Sequence, residues 1–195
     1  MLFSKLHRNM NFISFRLIAV IFLVLSLALS GPVFGQSDAD AKVNWVTIEE
    51  AEALNRENPK KIFIDFYTDW CGWCKRMEAN TFSNPIIAQY INEHYYAVKF
   101  NAEQAAPIMF RGTEFLNENA GQRRSAHNFA IAVLQGRMGY PSMAFFDEDL
   151  NLITAMSGYR PPEGLEPILV FFSEDVYKQT SDLDGFTKNF QGSFD

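Results

Sequence analysis

The only two cysteines of the chain sit three positions apart, in Trp70-Cys71-Gly72-Trp73-Cys74-Lys75, directly after the apolar run Lys61-Ile62-Phe63-Ile64-Asp65-Phe66-Tyr67. No other feature restricts the possible folds as much. A strand that ends in a short turn, with Cys-x-x-Cys opening a helix, is how a redox-active dithiol is built. A structural staple, a zinc site and a haem attachment all fit the pair less well. A bond closing so small a ring constrains the unfolded chain by only about 2 kcal/mol in the chain-entropy treatment, so it makes a poor staple. Structural zinc needs four ligands, and beyond the pair the sequence offers only His7, His94 and His127. Covalent haem attachment needs His directly after the second cysteine, and residue 75 is Lys. No metal or cofactor is therefore expected beyond the Cys71/Cys74 pair itself.

The N-terminus reads as an address rather than as part of the fold. Lys5, Arg8 and Arg16 precede an apolar stretch from Leu17 to Leu29, followed by Ser30-Gly31-Pro32 and then Val33-Phe34-Gly35. A basic start, an apolar middle and small residues before a cut are the marks of a secretory signal. Residues 1–35 are expected to be removed between Gly35 and Gln36, leaving a polar leader at 36–42. The apolar stretch falls short of the roughly 20 residues that span a bilayer, so an uncleaved membrane anchor is the lesser alternative. An exported chain meets no pool of reducing thiols, and its disulfides persist. The net charge of −6 becomes more negative once the basic start is lost. That balance argues against nucleic acid and anionic membrane surfaces as partners.

The rest suits one domain. Thr47-Ile48-Glu49-Glu50 has the form of a capping box, and a helix should run from it to about Asn58, stopped by Pro59. Lys61–Tyr67 reads as a strand buried on both faces except at Asp65. The helix opening at the cysteines should reach about Asn80. Asn84-Pro85 starts another that ends near His94, with Asn at the cap and Pro in the first turn. Tyr96–Asn101 is a second strand. Ile108–Leu116 suits a hairpin turning at Arg111-Gly112, and Ser125–Leu134 a helix ending at Gly136. Ser142–Phe146 and Leu152–Ser157, joined by Asp147-Glu148-Asp149, form an antiparallel pair. Pro161-Pro162 opens a last helix to about Tyr177, and the extension 178–195, with Phe186 to Phe190, is expected to hold a short helix and a mobile tail. The fold class is α/β: a central mixed sheet with helices on both faces. The 19 Phe residues point to a strongly apolar core. Nothing supplies a dimerisation segment, so a monomer is expected.

The run from Ile64 to Lys75 resembles the active-site segment of the thioredoxin family, with an acidic residue inside the strand, Trp before the first cysteine and Lys after the second. Gly139-Tyr140-Pro141, just before the strand Ser142–Phe146, resembles that family's cis-proline loop, and Lys99 matches its usual strand lysine. The likeness covers about 43–177. It departs in the Gly72-Trp73 dipeptide, in a longer segment at about 102–138 before the proline strand, and in the bulky Tyr140. These departures look more like exported thioredoxin-like proteins of bacterial envelopes than like a general cytoplasmic reductant.

The resemblance implies a three-layer thioredoxin-like fold and a thiol–disulfide oxidoreductase acting on protein thiols and disulfides, with a membrane or envelope redox partner. The alternative is a module of the same fold that holds a client with little turnover. The direction of electron flow stays open. Cys71, at a helix N-terminus where unpaired amides favour an anion, is the expected attacking thiol. Cys74, expected to be the less exposed of the two, resolves the adduct. By resemblance Asp65 accepts a proton from Cys74, and the competing reading pairs its carboxylate with Lys99. Tyr140 and Pro141 would pair with an extended substrate strand, and Trp70, Gly72 and Trp73 would face it, although Trp70 would equally suit the edge of the core. His127 reads as a solvated or capping residue and His94 as a favourable charge near a helix end.

Overall fold

The computed structural model describes residues 41–194. The expected signal segment, its cleavage between Gly35 and Gln36, and most of the leader lie outside the described residues. Five strands form one mixed sheet: β1 (Trp45–Val46), β2 (Lys61–Tyr67), β3 (Tyr95–Asn101), β6 (Ser142–Phe146) and β7 (Leu152–Ser157), in the order β1-β3-β2-β6-β7. β1, β3 and β2 run parallel, and β6 and β7 return antiparallel. The pleat sorts the side chains of central β2. Phe63 goes to one face with Met77, Phe82, Ile87, Tyr95, Phe145 and Leu165, while Ile62, Ile64 and Phe66 go to the other with Ile48, Phe100, Phe110 and Phe129. Two residues on from Phe63, Asp65 shares its face by the same alternation.

Helices cover both faces. The second face carries α1 (Ile48–Glu57), which starts as a true capping box: Glu50 N–H donates to Thr47 Oγ1 at 3.1 Å and Thr47 N–H to the Glu50 carboxylate at 2.8 Å. On the first face lies α2 (Gly72–Met77), running into a π-helical turn at Glu78–Phe82, and α3 (Pro85–His94), capped by Asn84 Oδ1 accepting from Ile86 N–H at 3.0 Å. His94 is the last residue of α3, its ring stacked on Tyr90. The cysteine helix therefore carries past Asn80, its last turn widened so that Thr81 and Phe82 are buried.

The hairpin of the inserted segment forms as β4 (Ile108–Phe110) and β5 (Thr113–Phe115). Its turn residues Arg111 and Gly112 both take positive φ, 51° and 72°, the turn that matches the strands' own twist. The amides of Met109, on the open edge of β4, and of Arg111, in the turn, donate to Glu49 and Glu52 of α1 at 3.1 and 3.0 Å. The next helix, α4 (Asn128–Val133), starts three residues later than expected. Ser125 is instead buried as an acceptor for the Asn117 side-chain amide at 3.2 Å, and His127 is the cap.

Two expectations at the C-terminus need correction. The helix α5 (Pro162–Ser173) stops short of Tyr177, because Asp175 turns left-handed at φ 58° and its carboxylate meets buried Lys61 at 2.8 Å. The extension has the expected short helix, but the residues after it are held rather than loose. After a 3₁₀ turn (Val176–Lys178) it forms α6 (Leu183–Asn189), whose Phe186 packs on Phe171 at 5.3 Å, and Ser193 donates to the buried Glu166 carboxylate through N–H and hydroxyl. Phe186 and Phe190, one turn apart, give that helix an apolar side to bury. β1 is a further addition to the expected strands. Among the described residues no helix is long and apolar enough to cross a membrane.

Candidate active site

The carboxyl end of β2 delivers the chain into a turn closed by Cys71 N–H on Thr68 O at 3.1 Å, and the helix starts there. Cys71 is the N-cap, extended at φ −75°, ψ 103°, and its Sγ accepts from Cys74 N–H at 3.1 Å. A disulfide joins Cys71 to Cys74 across Cα atoms 5.3 Å apart. The two are buried alike, 4% and 7% exposed, so Cys74 is not the better hidden. The bond folds Cys71 sulfur back over the first turn, and each sulfur shields the other. Gly72 leaves the approach open, since a Cβ there would meet nothing within 4 Å.

Behind the pair lies a cavity of about 530 Å³ lined by Asp65, Tyr67, Thr68, Cys74, Glu78 and Lys99, among others. Asp65 is 3% exposed, and its Oδ1 has no hydrogen-bond partner among the described residues, nor does the buried Thr68 hydroxyl. Burial pushes the Asp65 carboxyl up to about 7, against the pull of the nearby Lys99 charge, with Glu78 adding to the rise. Lys99 sits opposite Asp65 in the β2–β3 register, yet its ammonium pairs with Glu78. The paired Asp65–Lys99 arrangement is thus absent. Glu78 was not picked out from the sequence, although it lies one helical turn beyond Cys74 and so on the same side of the helix.

The Tyr140–Pro141 bond is cis. Its loop is tied down by Gly158 N–H on Pro141 O at 2.8 Å and by Ser142 hydroxyl on Gly139 O at 2.6 Å. Neither the amide nor the carbonyl of Tyr140 has a partner among the described residues. The Tyr140 ring meets Trp70 edge-on at 6.1 Å, and its phenol is raised to about 12 by burial and by the Glu103 charge.

Both indoles stand proud of the surface, Trp70 54% and Trp73 56% exposed. Trp70 is therefore not a core-edge residue. Its indole N–H donates to the Glu103 carboxylate at about 3 Å, and Trp73 leans on Tyr159 at 5.5 Å. Exposed rings beside a reactive group are uncommon on a surface that binds nothing. Tyr159 carries no local signal, since its contact spans the length of the domain. His127 does not approach the dithiol. It caps α4, its Nδ1 accepting from Phe129 N–H at 3.1 Å, and it is fully buried rather than solvated.

Comparisons with known proteins bear on the family and the fold. The DsbD thiol:disulfide interchange protein of Citrobacter koseri is 33% identical over 142 residues, covering 68% of this chain and 21% of that protein. The DsbD of Salmonella typhi is 32% identical over 88 residues, 40% of this chain and 16% of its own. The chain thus spans about a fifth or less of these relatives' length. Among solved structures, a thioredoxin-fold protein from Helicobacter pylori superposes with a TM-score of 0.52 at 17% identity, over 80% of this chain and 93% of that one. A thioredoxin from Thermus thermophilus gives 0.50 at 14% identity, over 77% and 99%. These two bear on the fold alone. The model of the thioredoxin-like domain family matches residues 48–173, and the chain belongs to that family.

Proposed function

We propose that the protein is an exported thiol–disulfide oxidoreductase that exchanges disulfides with protein partners through Cys71 and Cys74. The observation that carries this reading is the Cys71–Cys74 disulfide at a helix start, with buried, unpartnered Asp65 in the cavity behind it. The relatives named for thiol:disulfide interchange support it, and the signal-like N-terminus supports export.

In the reducing direction the Cys71 thiolate attacks one sulfur of a partner disulfide. The partner's S–S bond breaks, one partner sulfur leaves as a thiolate, and a mixed disulfide with Cys71 forms. Cys74 gives its proton to the Asp65 carboxylate and attacks the Cys71 sulfur. The internal disulfide closes, the second partner sulfur leaves, and two electrons have passed to the partner. The reverse sequence oxidises a partner dithiol. A carboxyl that titrates near neutral pH is matched to taking and returning that proton. The open Tyr140 amide and carbonyl suit addition of an extended partner strand, with Gly72, Trp70 and Trp73 facing it and Pro141 setting the loop. No cofactor beyond the dithiol enters, and a membrane or envelope redox partner resets its state.

Insulin reduction by wild type and Cys71→Ser tests the reading. Turnover by the wild type that falls to background in the variant is expected. A wild type inert in both reduction and oxidation would leave a binding module instead. Equilibrating the pair against glutathione buffers assigns the direction.

A further inference from the structure

Outside the reacting atoms, the rim of the site carries an arrangement that catalysis does not use. The Arg124 guanidinium lies over the Trp70 ring at 5.3 Å, and the Arg76 guanidinium lies over Trp73 at 5.4 Å and over Tyr159 at 5.6 Å. Trp70 directly precedes Cys71 and Trp73 directly precedes Cys74, so each cation rests on the ring next to one cysteine in the chain. Both arginines are exposed, and neither has an ion pair or hydrogen bond among the described residues. Of the nearby carboxylates, Glu78 pairs with Lys99, whereas Glu103 and Asp69 accept only from neutral donors, the Trp70 indole and, at 3.3 Å, the Asn101 amide. A guanidinium stacked on an aromatic face keeps its N–H edge free, in the fork geometry that takes a carboxylate through two hydrogen bonds. The face carries both signs, since no cation pairs with Asp69 or Glu103 either, but no carboxylate of the described residues lies within ion-pair distance of Arg76 or Arg124, so both forks stay open to a carboxylate brought by a partner.

Building on the oxidoreductase reading above, the geometry points to a partner protein that presents its disulfide within an acidic stretch, with carboxylates close to the reacting sulfurs seated on Arg124 and Arg76. Holding two rim cations in place on aromatic rings lowers the ordering cost of binding, and rim charges act mainly on encounter rate and partner choice.

The test uses three disulfide-linked peptides of one sequence whose flanking positions are Glu, Gln or Lys. The reduced full-length protein is mixed with each, and oxidation of its dithiol is followed by Trp fluorescence. Expected is a second-order rate about tenfold higher for the Glu peptide than for the Gln peptide at low ionic strength, with the Lys peptide slowest. The ratio should shrink toward one as salt rises through the range where the screening length drops below about 10 Å. In the R76Q/R124Q variant, checked for native circular dichroism, the Glu-to-Gln ratio should fall to within about twofold of one. Equal rates for the three peptides in wild type, or a Glu preference that survives in the folded double variant, overturns the inference. The wild-type salt series decides the matter even if the variant fails to fold. Sedimentation with anionic but not neutral phospholipid vesicles, alongside equal peptide rates, would assign the arginines to a lipid surface and equally overturn it. The two readings fail separately. A reduced protein unreactive even toward a small neutral aromatic disulfide defeats the oxidoreductase assignment, whereas reactivity without charge preference defeats only the acidic partner.

Discussion

Asp65 and His127 are both titratable, both sealed against opposite faces of the same sheet, and surrounded in opposite ways. His127 Nδ1 accepts from Phe129 N–H, its Nε2 lies 3.2 Å from Ala106 O, and its ring edge meets Phe100 at 5.3 Å. Every polar atom of that ring is occupied. Asp65 has Oδ1 without a partner and a cavity in front of it shared with Cys74. A buried polar group that is fully hydrogen-bonded holds structure together, while one that meets a cavity without a protein partner is free to exchange a proton. The contrast separates a cap from the group proposed above as proton acceptor, and each of its halves can be broken by experiment.

The largest effect concerns stability against pH. Burial lifts Asp65 from its ordinary 3.8 to about 7, so the folded protein binds this proton more tightly than the unfolded chain. The resulting stabilisation is whole below about pH 4 and is lost as pH rises through about 7, on the order of 4 kcal/mol in all. Denaturant melts of wild type and Asp65→Asn at pH 5 and pH 8 should show the difference between them growing with pH. A parallel pair of curves would mean that Asp65 is no desolvated carboxyl. Next in size, Asp65→Asn should slow release of the mixed disulfide about a hundredfold at neutral pH, read by quenched-flow trapping of the Cys71 adduct. An unchanged release rate would remove Asp65 from the chemistry.

His127 titrates the other way. Burial lowers it, more than the Ala106 carbonyl and the Glu49 charge raise it. Its contribution is whole above about 6.5 and is lost as pH falls below that value. His127→Ala should cost about 2 kcal/mol in a urea melt, from the lost cap and a small void, while insulin reduction stays within twofold of wild type. A collapse of activity in the folded variant would dissolve the contrast. Smallest of all, Gly72→Ala should move the melting free energy by less than about 0.5 kcal/mol, because the added methyl meets open space.

How far each feature could be read from the sequence depended on how local its cause is. The capping box at Thr47, the Asn84-Pro85 start, the Arg111-Gly112 turn and the dithiol at a strand-to-helix junction all arise from residues within a few positions of one another, and the structure has them where they were expected. The end of α5 was misplaced because an ion pair with Lys61, more than a hundred positions away, stops it at Ser173. The tail looked loose because the surface it covers, Phe171 and Glu166, belongs to another helix. The competing reading, an Asp65 carboxylate paired with Lys99, does not form, because a carboxylate on the neighbouring helix, Glu78, holds the ammonium instead.

Sequence alone determined the chemistry available to this protein: a pair of sulfurs at the mouth of a helix, an acid in an apolar strand two residues from Phe63, and a proline loop able to stand beside them. These follow from dihedral preferences, period-two alternation and capping, which act over short stretches of chain. Tertiary structure alone decided which polar groups found partners. Asp65 was left facing a cavity, His127 was enclosed, and Arg76 and Arg124 came to lie on the two indoles, because hydrogen bonding and desolvation depend on what the rest of the chain packs around each atom.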